Sequence, residues 1–299
     1  MIRLTTIQGM RSVCTLAVFT SGLLLASATG DDGLATVVSK GDAKCLELWD
    51  GFRQFVAEEH DVQRVFDKSG KVRRERFIRS DYYVVRIPSA RPDDPDGLLE
   101  FRDVLDVDGK PVRRDPARLM ALLTSKGASP REEMCRIADA ANERNLFGAG
   151  WHINFTAGLA GYMHAWPDAD VNYRLAPDAE AAGDEMVVCF EETGRVTRAQ
   201  EGNCLHPQRM PAKGCIHLAR SDYSILKADV TVALKTIPVE MRMVSEYQAG
   251  PGGVRVPARR AMSILNSKWR GGVAAQAEAT YSNFRRFSAE STVAFEPIR

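Results

Sequence analysis

Two short pairs in the second half of the chain carry the residue types best suited to chemistry, Cys204-x-His206 and Cys215-x-His217. Residues two apart in an extended strand share a face, so each cysteine would point the same way as its histidine. Two such pairs across a hairpin supply the donors of a tetrahedral Cys₂His₂ metal site, although the spacing is not that of a zinc finger. The competing reading is a Cys204–Cys215 disulfide that closes a turn-rich loop through Pro207, Pro211 and Gly214, with the histidines as ordinary strand residues. Closing so short a loop is worth on the order of 3 kcal/mol. An oxidising compartment favours the disulfide, and the expectation is that pairing with no metal.

Other catalytic patterns fail on context. Ser224-Ile225-Leu226-Lys227 matches S-x-x-K, and Tyr281-Ser282-Asn283 could pass for the Y-x-N of serine penicillin-recognising enzymes. That serine must open a helix for the lysine to reach it, whereas this stretch reads as a strand, in which residues three apart point to opposite faces. The chain has no H-E-x-x-H, no G-x-S-x-G and no phosphate-cradling glycine loop. No catalytic residue and no cofactor is expected. Apolar contacts offer a different kind of site. Met241, Met243 and Tyr247 share one face of a strand whose other face carries Glu240, Arg242 and Glu246. Together with Tyr162, Met163 and Trp166 they either line a pliable apolar cavity or fill a core beneath helices.

The elements that would position these residues follow from periodicity. Leu46, Trp49, Phe52, Phe55 and Val56 recur at helical spacing after a weakly patterned stretch from Asp31 to Gly41, and the helix ends near Glu58-Glu59-His60. Val62 to Phe66 and Arg73 to Pro88 read as a hairpin, and Asp108-Gly109 is a type I′ signal returning from Phe101 to Val107. Three helices follow, one opened by Asp115-Pro116, one by the capping box Ser129-Pro130-Arg131-Glu132 that includes Cys135, and one over Ala157 to Ala165. From Val171 onward strands dominate: Met186 to Glu192, Gly214 to Arg220, Tyr223 to Leu234, Val239 to Tyr247, Val254 to Leu265 and Ala277 to Phe287. Helices segregated between two groups of antiparallel strands predict an α+β fold, a strongly curved antiparallel sheet or incomplete β-barrel with a helical plug.

Composition bounds the rest. The 299 residues are 44% hydrophobic and 26% charged, ordinary globular values. Arg3 and Arg11, an apolar run from Val13 to Ala26, and Ala26-Ser27-Ala28 make residues 1–28 a signal peptide, with a single domain over residues 29–299. The apolar run is shorter than the roughly 20 residues of a spanning helix, so no transmembrane span is expected after cleavage. Removing the leader takes the formal charge from +1 to −1, which leaves no electrostatic footprint for nucleic acid. Basic pairs at Arg73-Arg74, Arg113-Arg114, Arg259-Arg260 and Arg285-Arg286 are either a surface for anionic headgroups or solvated strand faces balanced by acids. Of the other cysteines, Cys135 and Cys189 read equally well as small buried apolar residues.

The order of signal peptide, first helix, strand around Val62 to Phe66, mid-chain helices and closing strands Val254 to Ala258 and Ala279 to Phe287 resembles the periplasmic lipoprotein-carrier superfamily, the LolA/LolB-like half-barrels. The stretches Phe101 to Val112 and Tyr281 to Phe287 also resemble segments shared among uncharacterised bacterial secreted proteins. The chain is longer than the small carriers and adds the cysteine loop. The resemblance implies a half-barrel in the periplasm or secreted. On this reading the protein is exported and non-catalytic, and binds a lipid, an acyl chain or another apolar ligand, or an envelope protein, on the concave face of the sheet. The alternative is a secreted hydrolase or metal-dependent enzyme centred on the cysteine–histidine hairpin.

Overall fold

A computed structural model of the chain describes residues 33–53, 55–87, 97–114, 130–147, 156–164, 170–177, 183–193, 199–202, 207–233 and 239–286. The expected leader, the helix at Asp115-Pro116, and Trp166, Cys204 and His206 lie outside the described residues.

Helix α1 runs from Leu34 to Phe52, earlier at both ends than the hydrophobic spacing suggested. Its buried stripe is Val37, Gly41, Cys45, Leu48, Trp49 and Phe52, spaced by whole turns. The first half of that stripe is small, so the sequence shows little amphipathicity there. Gly41 explains one of the small positions: a Cβ at that point would strike the Met163 side chain. Phe55 and Val56 belong to the next element, strand β1, Phe55–Phe66. Glu59, Asp61 and Gln63 point inward along β1 and are fully or almost fully buried. Period-two alternation was therefore hidden by charges on the buried face, and Glu58 to His60 looked like a helix end.

Strand β2 is Val72–Ile87, β3 is Gly97–Val107 and β4 is Lys110–Pro111. Asp108 and Gly109 join β3 to β4 with φ of 51° and 74°, as a type I′ turn requires. Helix α2 spans Pro130–Asn142. In place of the expected third helix stands a six-residue 3-10 turn, Gly158–Met163, called the plug here. The remaining strands are β5 (Val171–Leu175), β6 (Glu185–Glu192), β7 (Ala199–Gly202), β8 (Pro207–Met210), β9 (Ala212–Ala219), β10 (Ile225–Ala233), β11 (Glu240–Ala249), β12 (Arg255–Leu265) and β13 (Val273–Arg286).

Among the described residues, eleven strands form one sheet in the order β4-β3-β2-β1-β13-β12-β11-β10-β9-β6-β5, and β7 pairs with β8 separately. Every pairing is antiparallel. The decisive one joins β1 to β13, with Asp61 opposite Ala279, because it welds the early hairpins to the last strand. The strand order is open, with β4 at one edge and β5 at the other. This is the strongly curved antiparallel α+β half-barrel that the order of elements implied. Its inner face can be followed residue by residue across the register. Tyr173 pairs with Phe190, Val188 with Ile216, Val230 with Met243, Met243 with Met262 and Met262 with Ala277.

Candidate functional site

The apolar part of the inner face lies on β6 and β9 to β12. Val188, Ile216, Val230, Val232, Met241, Met243, Met262 and Ile264 are buried there in one cluster. Helix α1 and the plug cover it. Leu159, Tyr162 and Met163 of the plug belong to the same cluster, and Tyr162 stacks on Phe190 with ring centroids 4.5 Å apart. Of the residues expected to line a cavity, Met241, Met243, Tyr247, Tyr162 and Met163 are thus gathered on one floor, all at most 5% exposed.

A second region of the same face, unmarked by any motif, is polar. Glu59 and Asp61 on β1 lie between Arg102 on β3 and Arg260 on β12, and all four are buried. Arg102 Nη1 stands 2.9 Å from Asp61 Oδ2 and 3.3 Å from Glu59 Oε2. Arg260 Nη2 stands 3.4 Å from Asp61 and 3.6 Å from Glu59. Each arginine sits two strands from the carboxylates, about 10 Å along the sheet. Small residues stand on part of each path: Ser80 faces Glu59 on β2, and Ala279 lies between Asp61 and Arg260 on β13. Gln63 and Asn145 extend the network, with Gln63 Nε2 donating to Asp61 and to Asn145 Oδ1, and Arg102 Nη2 donating to Asn145. Burying four charges is tolerable only when they neutralise each other at this range. Asp61 Oδ1 and Arg102 Nε have no hydrogen-bond partner among the described residues, so satisfaction there is incomplete.

Side chains from the sheet hold the plug by its backbone. Glu100 on β3 accepts from the N–H groups of Thr156 (2.6 Å), Ala157 (3.0 Å) and Gly158, and from the Tyr82 hydroxyl. The Tyr247 hydroxyl donates to the Thr156 carbonyl at 2.5 Å, and Trp49 Nε1 to the Ala157 carbonyl at 3.0 Å. At the far end the Tyr173 hydroxyl donates to the Tyr162 carbonyl. Tyr281 links plug and charges: its hydroxyl lies 2.7 Å from Thr156 Oγ1 and 3.1 Å from Glu59 Oε1. Burial holds Tyr82, Tyr247 and Tyr281 protonated, far above the ordinary tyrosine range. Burial also pushes the Glu100 carboxyl up, against the four hydrogen bonds that pull it down.

The cysteine pairing differs from the expected Cys204–Cys215 bond. Cys215 is bonded to Cys189, not to Cys204. Cys189 and Cys215 face each other directly across β6 and β9, so the pair is set by sheet register rather than by closeness in sequence. Cys135 is also disulfide-bonded, and Cys45 is a free, buried thiol. The reading of Cys135 and Cys189 as plain apolar residues therefore fails. A sulfur in a disulfide cannot act as a thiolate ligand, which removes Cys215 from the proposed Cys₂His₂ set. His217 Nδ1 instead lies 2.9 Å from Glu185 Oε2, and no group of three possible metal ligands occurs among the described residues. Ser224 precedes β10 and opens no helix; it accepts from Arg255 Nη2 at 3.1 Å, and its N–H donates to Asp222 Oδ1 at 3.0 Å.

By strand order and plug this is an open half-barrel, the class of fold that the sequence resemblance implies. Among solved structures the chain is similar to a LolA superfamily protein from Nitrosomonas europaea, at 14% identity and a TM-score of 0.35, over 83% of this chain and 94% of that one. No family model and no curated protein matches the sequence.

Proposed function

We propose that the protein is an exported, non-catalytic binder of an apolar ligand, a lipid or acyl chain, whose apolar part takes the place of the plug over the floor of β9 to β12. One observation carries this reading. Among the described residues, one helix and a six-residue turn cover the broad apolar floor of an open sheet, and side-chain hydrogen bonds anchor the backbone of that turn and of its entry. Packing against Met241, Met243 and Met262 is unspecific and deformable, so an alkyl chain can replace Leu159 and Met163 with similar burial. The Cys189–Cys215 disulfide fits an oxidising compartment. No described helix is long and apolar enough to cross a membrane.

Native mass spectrometry with lipid extraction of protein made with its leader tests the proposal, together with titration by a fluorescent fatty acid. A co-purifying apolar mass, or saturable binding that Met243→Trp weakens, is the expected result. Absence of both, with a plug that stays protected from hydrogen exchange when lipid is added, would overturn it. A protein partner recovered in place of lipid would move the function to envelope-protein binding.

A further inference from the structure

A second site lies at the β4 end of the sheet, away from the floor. A pocket of about 240 Å³ opens between α2 and the segment that leaves β4, and Arg102, Arg113, Arg114 and Arg144 line it against a single carboxylate, Asp103. The four arginines are not equivalent. Arg102 is consumed by Asp61 and Glu59. Arg114 is held by Asp103, with its Nε 2.7 Å from Oδ2, and by Asp81 at 3.4 Å. Arg113 and Arg144 are exposed, and neither guanidinium is paired with a carboxylate among the described residues. The Arg144 backbone is nevertheless fixed, because its carbonyl accepts from Arg76 Nη1 at 2.5 Å. Val112, Ile137 and Ala140 supply an apolar wall.

We propose that this pocket binds a phosphate group, free or esterified. Two guanidiniums on facing elements that no described carboxylate pairs can each present a two-pronged donor to a tetrahedral oxyanion. Arg114, already neutralised, keeps Asp103 from repelling the anion. Against the roughly 30 Å³ that a water molecule occupies in the liquid, the volume admits a phosphate with a few attached carbon atoms. The apolar wall suits those carbons. The same chemistry can come from a soluble phosphate ester or from a phospholipid headgroup, and the test separates them.

Wild-type protein is titrated calorimetrically with inorganic phosphate and with glycerol 3-phosphate, and sedimented with phosphatidylcholine vesicles with and without phosphatidylglycerol. Arg113→Gln/Arg144→Gln is compared with Arg174→Gln/Lys213→Gln, a pair of exposed cations on β5 and β9 as a charge-matched control. The expected result is binding that the first double variant weakens about tenfold or more and the control leaves nearly unchanged, with an unaltered melting temperature and a loss of affinity at high salt. Loss confined to phosphatidylglycerol vesicles assigns the lipid source, and loss with the small phosphates assigns the soluble one. Equal binding by wild type and the Arg113/Arg144 variant, or no wild-type binding to any of these probes, overturns the proposal.

Discussion

Across β9 to β12 the inner face of the sheet is filled by Val230, Val232, Met241, Met243 and Ile264, whereas across β1 to β3 the same face carries Glu59, Asp61 and Arg102 at comparable burial. The apolar half is held by contacts that have no preferred direction, so neighbouring side chains can rearrange around a new occupant. The polar half is held by hydrogen bonds and ion pairs with fixed geometry, in which any displacement leaves a buried charge exposed to a low dielectric. The plug spans the difference. Its entry at Thr156 to Gly158 is fastened by Glu100 and Tyr281 on or beside the polar half and by Tyr247 from β11, while Leu159, Tyr162 and Met163 lie in the apolar cluster. Between that fastening and the Tyr173 hydroxyl on the Tyr162 carbonyl, Leu159 and Met163 are held by apolar packing, and they are the part that the proposed ligand would replace. That is the mechanical content of the proposed function.

Breaking the polar half should have the largest effect. Arg102→Met leaves Glu59 and Asp61 with only Arg260 as counter-charge, and should cost about 3–5 kcal/mol in urea unfolding. Arg102→Lys should recover little of this, because an ammonium cannot address Asp61, Glu59 and Asn145 with one planar fork. In the apolar half, Met243→Ala should cost about 2–5 kcal/mol, toward the low end where the neighbours collapse into the space. Met243→Leu should cost less than about 1.5 kcal/mol. If the two conservative swaps had similar costs, the distinction between a directional and a deformable half would be wrong.

The sequence made the deformable half plain and concealed the directional one. Period-two alternation in β11 puts Met241, Met243 and Tyr247 on one face, since apolar residues on a buried face are what alternation detects. The same rule assigns Glu59, Asp61 and Arg102 to solvent, and so it turned the start of β1 into a helix end. A signal for the network did exist. Ala275, Ala277, Ala279 and Tyr281 alternate on β13 as a row of small residues closed by a tyrosine, and small residues on an inner face leave room for long side chains from neighbouring strands. The disulfide was missed for a related reason. Cys189 and Cys215 are 26 residues apart, and only the β6–β9 register brings them opposite each other. The plug was legible as an apolar segment, but its 3-10 form depends on Glu100, which is distant in sequence and accepts the N–H groups at its start.

Glu100 offers the finest test of how the two halves are joined. Burial raises its carboxyl above the usual range despite the Tyr82 hydroxyl and the three backbone donors. An acid whose folded value is raised contributes its stability in full below the unfolded carboxyl value and loses it as pH climbs through the folded one. Glu100→Gln keeps an oxygen able to accept from the plug and removes the titration. The variant and the wild type should therefore be closest to equal in acid, and the wild type should lose ground to the variant as pH rises from about 4 toward neutrality. The shift should be smaller than either effect above and should be localised. Hydrogen exchange of the Thr156 to Gly158 amides should speed up with pH, beyond the intrinsic chemical rate, in the wild type and not in the variant. Core amides of β10 and β11 should not follow. If those strands loosened in step with the plug, the polar anchor and the apolar floor would be a single cooperative unit, and a ligand could not displace the plug while the sheet stays intact.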